Sequence, residues 1–177
     1  MNSTDLYYKK LENKSVFLYD YCNSIIDNLS DNERENLEYY YNFQSIVIDE
    51  SDFLKEPIIK TIHQQFEISI AGLIILEKNT GYEFHIDAPR DVAINMLISS
   101  GVSHSMFKTD EKSSKYQYKF KELIFEEKSF YLYNTSIEHS VINFDKPRYM
   151  FSLRFDDGRL TYNDVFNWCK ENNLLEN

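Results

Sequence analysis

One histidine of this chain has a carboxylate two positions on. It lies in GYEFHIDAPRDVAIN, residues 81–95, as His85 and Asp87. Side chains at i and i+2 of an extended segment share a face. The pair can therefore offer an imidazole nitrogen and a carboxylate oxygen to one ion. It can equally be a histidine beside an ordinary surface acid. The chain has 29 acids in 177 residues and four histidines. About one histidine in six meets an acid at i+2, so about half of such chains show one pair by chance. His63 and His104, without such a partner, read as structural. A third ligand must decide what His85 and Asp87 are.

His139 is the candidate. It opens HSVINF, where His139, Val141 and Asn143 share one face of a predicted strand. Two imidazoles and one carboxylate form a facial set with open coordination positions, the ligand set of non-haem Fe(II) oxygenases. A structural zinc would want four protein ligands, usually with Cys, and no Cys lies near in sequence. In RYMFSLRF, Arg148, Met150, Ser152 and Arg154 share one face, and Tyr149, Phe151, Leu153 and Phe155 the other. The aromatic face calls for burial. If the arginine face lines an interior, its guanidiniums need anionic partners, because an unpaired buried charge is costly. A dicarboxylate matches Arg through bidentate pairing.

These residues need a frame. Residues 1–66 read as a mainly helical N-terminal layer. SVFLYDYCNSIIDNL has helical spacing, NERENLEYYY reads as a charged helix or loop, and FQSIVIDE alternates like a strand. SDFLKEPIIKTIHQQF restarts a helix with Ser51 or Asp52 as N-cap. Residues 67–156 hold eight short strand-like runs separated by breaks such as NTG, APR and DKP, the pattern of an all-β sandwich or barrel. Residues 157–177 close the chain with an amphipathic helix led by Thr161 or Asn163. The expectation is a single domain, mainly β with flanking helices.

Composition removes several functions. The net charge is −10, whereas a duplex-binding protein needs a cationic face to displace counterions. Nucleic acid and anionic membranes are therefore unexpected partners. The N-terminus has no cationic segment leading into an apolar core, and AGLIIL is too short to span a bilayer. Cys22 and Cys169 show no redox or zinc spacing, so the expected setting is reducing and cytoplasmic.

The order H-x-D, about fifty residues of short strands, H, then R nine residues on, resembles the Fe(II)/2-oxoglutarate-dependent dioxygenase superfamily. LIILEKNTGYEFHIDAPRDVAIN is similar to that family's first-ligand region, and FYLYNTSIEHSVINFDKPRYMFSLRF to its second-histidine region. The closest flavour is the aspartyl/asparaginyl β-hydroxylase-like branch with its small single-domain relatives, over about residues 68–156. The resemblance implies a double-stranded β-helix, the jelly-roll or cupin-like barrel. It implies His85, Asp87 and His139 as ligands of Fe(II), with Arg148 on the distal carboxylate of 2-oxoglutarate. The implied chemistry uses O2, converts 2-oxoglutarate to succinate and carbon dioxide, and hydroxylates an amino acid, a peptide side chain or a small metabolite. No catalytic group beyond the metal ligands is expected.

This chain departs from the pattern at two points: the Ser often found two residues after the Arg is Met150 here, with Ser at 152, and the His139-to-Arg148 gap of nine is slightly short of the commonest spacing. Arg154 matches the second Arg of a nucleic-acid-demethylating branch, against which the acidic charge argues. Arg90, Asn95, Asn134, Ser152 and Arg154 are further candidate contacts for cosubstrate or substrate. Arg90 could instead pair with Asp87 or Asp91. Tyr82, Tyr116 and Tyr133 are weaker pocket candidates. Two other functions fit the same residues: a cupin-like metalloenzyme that needs no 2-oxoglutarate, and a β-sandwich binding or assembly module without chemistry.

Overall fold

The computed structural model describes residues 5–176 apart from 31, 33, 35, 36, 38, 41, 42, 115 and 116. The elements run β1 (Tyr8–Lys14), α1 (Phe17–Asn28), β2 (Tyr39–Tyr40), β3 (Phe43–Val47), α2 (Glu50–Phe53), α3 (Pro57–Gln65) and β4 (Ile68–Leu76). They continue with β5 (Thr80–His85), β6 (Val92–Ser99), β7 (Ser103–Ser114), β8 (Gln117–Leu123) and β9 (Ser129–Asn134). β10 (His139–Asn143), β11 (Arg148–Phe155) and α4 (Tyr162–Glu171) complete the chain. Each of the eight strand-like runs from residue 67 onward is a strand, β4 to β11. They form two antiparallel sheets, ordered β1-β9-β6-β11-β4-β3-β2 and β5-β10-β7-β8. This is the mainly β, jelly-roll architecture expected.

Period-two alternation divides the larger sheet into two environments. On β11, Tyr149, Phe151, Leu153 and Phe155 are buried in the main hydrophobic core. So are Ile94 and Met96 of β6 and Leu132 of β9, with Leu18 and Cys22 of α1, Ile59 and Ile62 of α3, and Val165 and Phe166 of α4. The helices thus cover one face of the sheet. Each fully buried aliphatic or Phe side chain there contributes roughly 1.5–3 kcal/mol. The other face looks at the smaller sheet. A separate small cluster joins Ala93, Tyr131 and Tyr133 of this sheet to Phe107 and Leu123 of the smaller one, and beside it lie the polar residues of β11.

The N-terminal 66 residues are less helical than expected. Tyr8–Lys14 is a strand on the edge of the larger sheet, with Tyr8 opposite Tyr133 and Lys10 opposite Tyr131. Its sequence, YKKLENK, has no apolar alternation, and only Leu11 is fully buried. Pairing with β9 makes it a strand, and its lysines suit an edge. The helix expected from Ser51 is two helices, capped at Asp49 and Glu56 rather than at Ser51 or Asp52. Pro57 is the reason: it lacks an N–H and opens a helix rather than continuing one. Much of NERENLEYYY lies outside the described residues. No helix among the described residues is long and apolar enough to cross a membrane.

Of the two residues offered to start the last helix, Thr161 is the cap. Its hydroxyl accepts from Asp164 N at 3.2 Å, and Asp164 accepts from Thr161 N at 3.0 Å. This reciprocal capping box satisfies two otherwise orphaned donors. Thr161→Ala is expected to lower unfolding free energy by about 1 kcal/mol. Urea denaturation of the metal-free protein checks it.

Candidate metal centre

His85 ends β5 and His139 begins β10, and the two lie opposite each other in the antiparallel pair. Their ring centroids are 4.4 Å apart. The register then shifts: Val141 faces Tyr82, so three steps on β5 match two on β10. This bulge alters the expected parity. The Tyr82 ring stands edge-on to His85 at 4.3 Å and packs on Phe43 at 4.7 Å. Phe84 does point outward, stacked on Phe120 at 5.4 Å. Asp87 lies beyond the end of β5, so strand parity does not place it. Its backbone N–H donates to the carbonyl of Thr135 at 3.0 Å, which ties the loop to the end of β9.

The histidines share one hydrogen-bond design. His85 Nδ1 lies 2.6 Å from the Glu83 carbonyl, and His139 Nδ1 lies 2.9 Å from the Ile137 carbonyl. A carbonyl only accepts, so each Nδ1 carries a proton and each Nε2 is left for the site. Those Nε2 atoms lie 3.3 Å (His85) and 4.0 Å (His139) from the same oxygen, Asp87 Oδ1. One ligand atom from each of the three residues falls within 4.8 Å of the other two. Two neutral imidazole lone pairs and a carboxylate repel unless a cation sits among them. A proton or a metal ion would serve. Two nitrogens and one oxygen suit a first-row divalent ion such as Fe(II) or a catalytic zinc.

The electrostatics of the metal-free protein agree. Burial works to lower the His85 pKa, but Asp87 and the Glu83 carbonyl outweigh it and raise it. Burial lowers the pKa of His139, with the Ile137 carbonyl and Asp87 offsetting only part. Burial would raise the Asp87 pKa, yet His85 and Arg90 hold it well below the usual carboxylate range. Without metal, Asp87 thus favours a proton on His85.

Arg148 is 3% exposed and opens into the same cavity, about 100 Å³ in volume. Its guanidinium donates to Ser103 Oγ at 3.1 Å and Ser105 Oγ at 2.8 Å, and lies 5.5 Å from the Phe125 ring centre. Among the described residues no carboxylate lies within ion-pairing distance of it. Desolvation lowers its pKa to about 10. As a buried cation with only neutral partners, Arg148 is a candidate anion contact.

The other candidates separate. Asn95, Ser152 and Tyr133 line this cavity. Asn95 Oδ1 is buried without a hydrogen-bond partner in the structure. Arg90 lines the cavity too, and Arg90 and Arg154 both line an adjoining cavity of about 310 Å³. Arg90 pairs with Asp87 Oδ2. Asn134 is a correction. It is not on the cavity wall: its Nδ2 donates to Leu6 O at 2.8 Å and its Oδ1 accepts from Ser136. Both ends of the amide thus hold the chain around β9. Tyr116 lies outside the described residues. Sequence reading missed Ser103, Ser105 and Thr135. The signal for the serines was present: SHS puts two small hydroxyls on one face of a strand.

Comparison with solved structures supports the fold. The chain is similar to a Pseudomonas putida prolyl-4-hydroxylase, with 13% identity, TM-score 0.57, and coverage of 87% of this chain and 95% of that one. It is similar to a 2OG-Fe(II) oxygenase family oxidoreductase from Burkholderia pseudomallei, with 9% identity, TM-score 0.52, and coverage of 75% and 76%. A third is a Trichoplax adhaerens prolyl hydroxylase in complex with a hypoxia inducible factor peptide fragment. It has 14% identity, TM-score 0.51, and coverage of 78% and 76%. At these identities the likeness is one of fold. No family model matches the chain, and no curated protein matches it.

The pKa directions yield a pH prediction. The raised His85 pKa means protonated His85 stabilises the metal-free protein, fully below its unfolded pKa of about 6.5. That contribution is lost as pH rises through the higher folded value. A metal needs the same Nε2 unprotonated. The rise in Tm produced by Co(II) or Ni(II) is therefore expected to grow from about pH 6 to about pH 8, and His139→Ala is expected to abolish it. Differential scanning fluorimetry across that range checks both.

Proposed function

We propose that this protein is an Fe(II)/2-oxoglutarate-dependent oxygenase that hydroxylates an amino acid, a peptide side chain or a small metabolite. One observation carries the reading: two imidazoles and a carboxylate share a small cavity with a buried arginine that has only neutral partners. His85, Asp87 and His139 would hold the metal. Arg148 would take the distal carboxylate of 2-oxoglutarate, with Ser103 and Ser105 fixing the plane of its guanidinium. The anion supplies the charge that Arg148 lacks, and Arg148 aims the cosubstrate along the cavity toward the ligands. Tyr133 is 4% exposed, and burial keeps its phenol protonated, so it can donate to a bound carboxylate. Bound iron supplies O2 activation coupled to decarboxylation of 2-oxoglutarate to succinate.

The fold likeness to oxygenase structures supports this class. One of those is described with a peptide bound, which keeps a peptide within the substrate classes. The aspartyl/asparaginyl β-hydroxylase-like branch rests on the sequence motifs around His85 and His139, whereas two of the similar structures are prolyl hydroxylases. A cytoplasmic setting fits two buried free thiols, Cys22 and Cys169. A cupin-like enzyme without 2-oxoglutarate would keep the three ligands but leave the burial of Arg148 without a purpose.

Ferrous iron and 2-oxoglutarate together are expected to raise Tm, since a ligand of the native state stabilises it, and to release succinate. Arg148→Met is expected to lose at least about tenfold in 2-oxoglutarate affinity, the cost of truncating a charge-assisted partner. It should retain metal binding. Its metal-free stability should fall little, because an unpaired buried charge leaves with the side chain. Unchanged 2-oxoglutarate binding in that variant would overturn the cosubstrate assignment and favour the cupin-like reading.

A further inference from the structure

We infer that Arg90 is a positioning residue of the metal centre, acting through Asp87, and that Thr135 is the latch holding both in place. The inference rests on the proposed metal role of His85, Asp87 and His139 and adds a device to it. Asp87 offers two oxygens, and they are used differently. Oδ1 faces both histidine Nε2 atoms, at 3.3 and 4.0 Å. Oδ2 is held by the guanidinium of Arg90. The backbone repeats the link, with Arg90 N donating to the Asp87 carbonyl at 2.5 Å.

Thr135 closes the loop onto β9. It is 1% exposed. Its carbonyl accepts from Asp87 N at 3.0 Å, its hydroxyl donates to the Arg90 carbonyl at 2.6 Å, and its N–H donates to the Asp91 carbonyl at 3.0 Å. One buried threonine thus fixes three residues of the turn carrying the carboxylate. A loop ligand needs such support, since it is not held by a strand ladder of its own.

The consequence is chemical. A carboxylate with both oxygens available can turn and chelate an ion with two atoms. Arg90 occupies Oδ2, so Asp87 presents one oxygen in one orientation. The coordination positions that a second oxygen would take stay open for cosubstrate and O2.

The test compares wild type, Arg90→Gln, Arg90→Lys and Thr135→Val by titration with Co(II) alone, read by its visible absorption and by Tm. In Arg90→Gln the Co(II) affinity is expected to fall about 10- to 100-fold, the usual cost of losing a partner of a metal ligand. The Co(II) spectrum should change as Asp87 turns, while the metal-free Tm stays near wild type. Arg90→Lys, which keeps a cation beside Oδ2, is expected to recover part of the affinity. Thr135→Val should weaken Co(II) binding in the same direction. Wild-type affinity and spectrum in Arg90→Gln would overturn the inference. So would tighter binding, which would mean that repulsion between guanidinium and ion dominates. A metal-free Tm falling in step with affinity would show that Arg90 serves the fold instead. Failure of the wild type to bind Co(II) would sink the metal reading itself, a distinct result.

Discussion

Two imidazole lone pairs and a carboxylate oxygen directed at one point repel one another, and the protein holds them there all the same. The carbonyls of Glu83 and Ile137 accept hydrogen bonds from the Nδ1–H groups, which leaves both Nε2 atoms facing Asp87 Oδ1. The arrangement needs a positive charge at its centre. Much of the surrounding architecture serves to keep these three groups from relaxing apart. β5 and β10 hold the histidines in register, and the loop tied to Thr135 holds the aspartate.

The second constraint is the division of one sheet between two jobs. The outward face of β11 is aromatic and aliphatic and packs under the helices. The inward face carries Arg148, Met150 and Ser152 into the cavity. A strand buried on both faces would ordinarily be apolar on both. Placing a guanidinium there costs desolvation, visible in its lowered pKa. The apolar packing on the far side, where Phe151 and Leu153 are fully buried, is what allows the sheet to carry that charge. Stability is concentrated between sheet and helices, and chemistry between sheet and sheet.

Much of this was legible along the chain. Eight alternating runs after residue 67 became eight strands, because period-two patterning is set by which face is buried. The separation of Arg148, Met150 and Ser152 from the aromatic residues of β11 follows from the same rule. The misreadings share another cause. The strand Tyr8–Lys14 has no pattern of its own and exists through pairing with β9. The bulge that turns Tyr82 toward His85 leaves no mark in YEFHID. Asn134, an amide near the site in sequence, was committed to Leu6, a residue 128 positions away.

By itself the sequence determined the local periods, and through them the strands β4 to β11, the helix cap at Thr161, and the donor types able to meet a metal. These depend on side-chain size, charge and spacing, which neighbours in the chain express directly. Only the tertiary structure decided which donors converge and which oxygen of Asp87 is free. It alone brought two serines of β7 to Arg148 of β11 and a threonine after β9 to the loop of Asp87. Such contacts join segments about 40 residues or more apart in sequence. Their strength comes from distance and orientation in space, which no local pattern encodes.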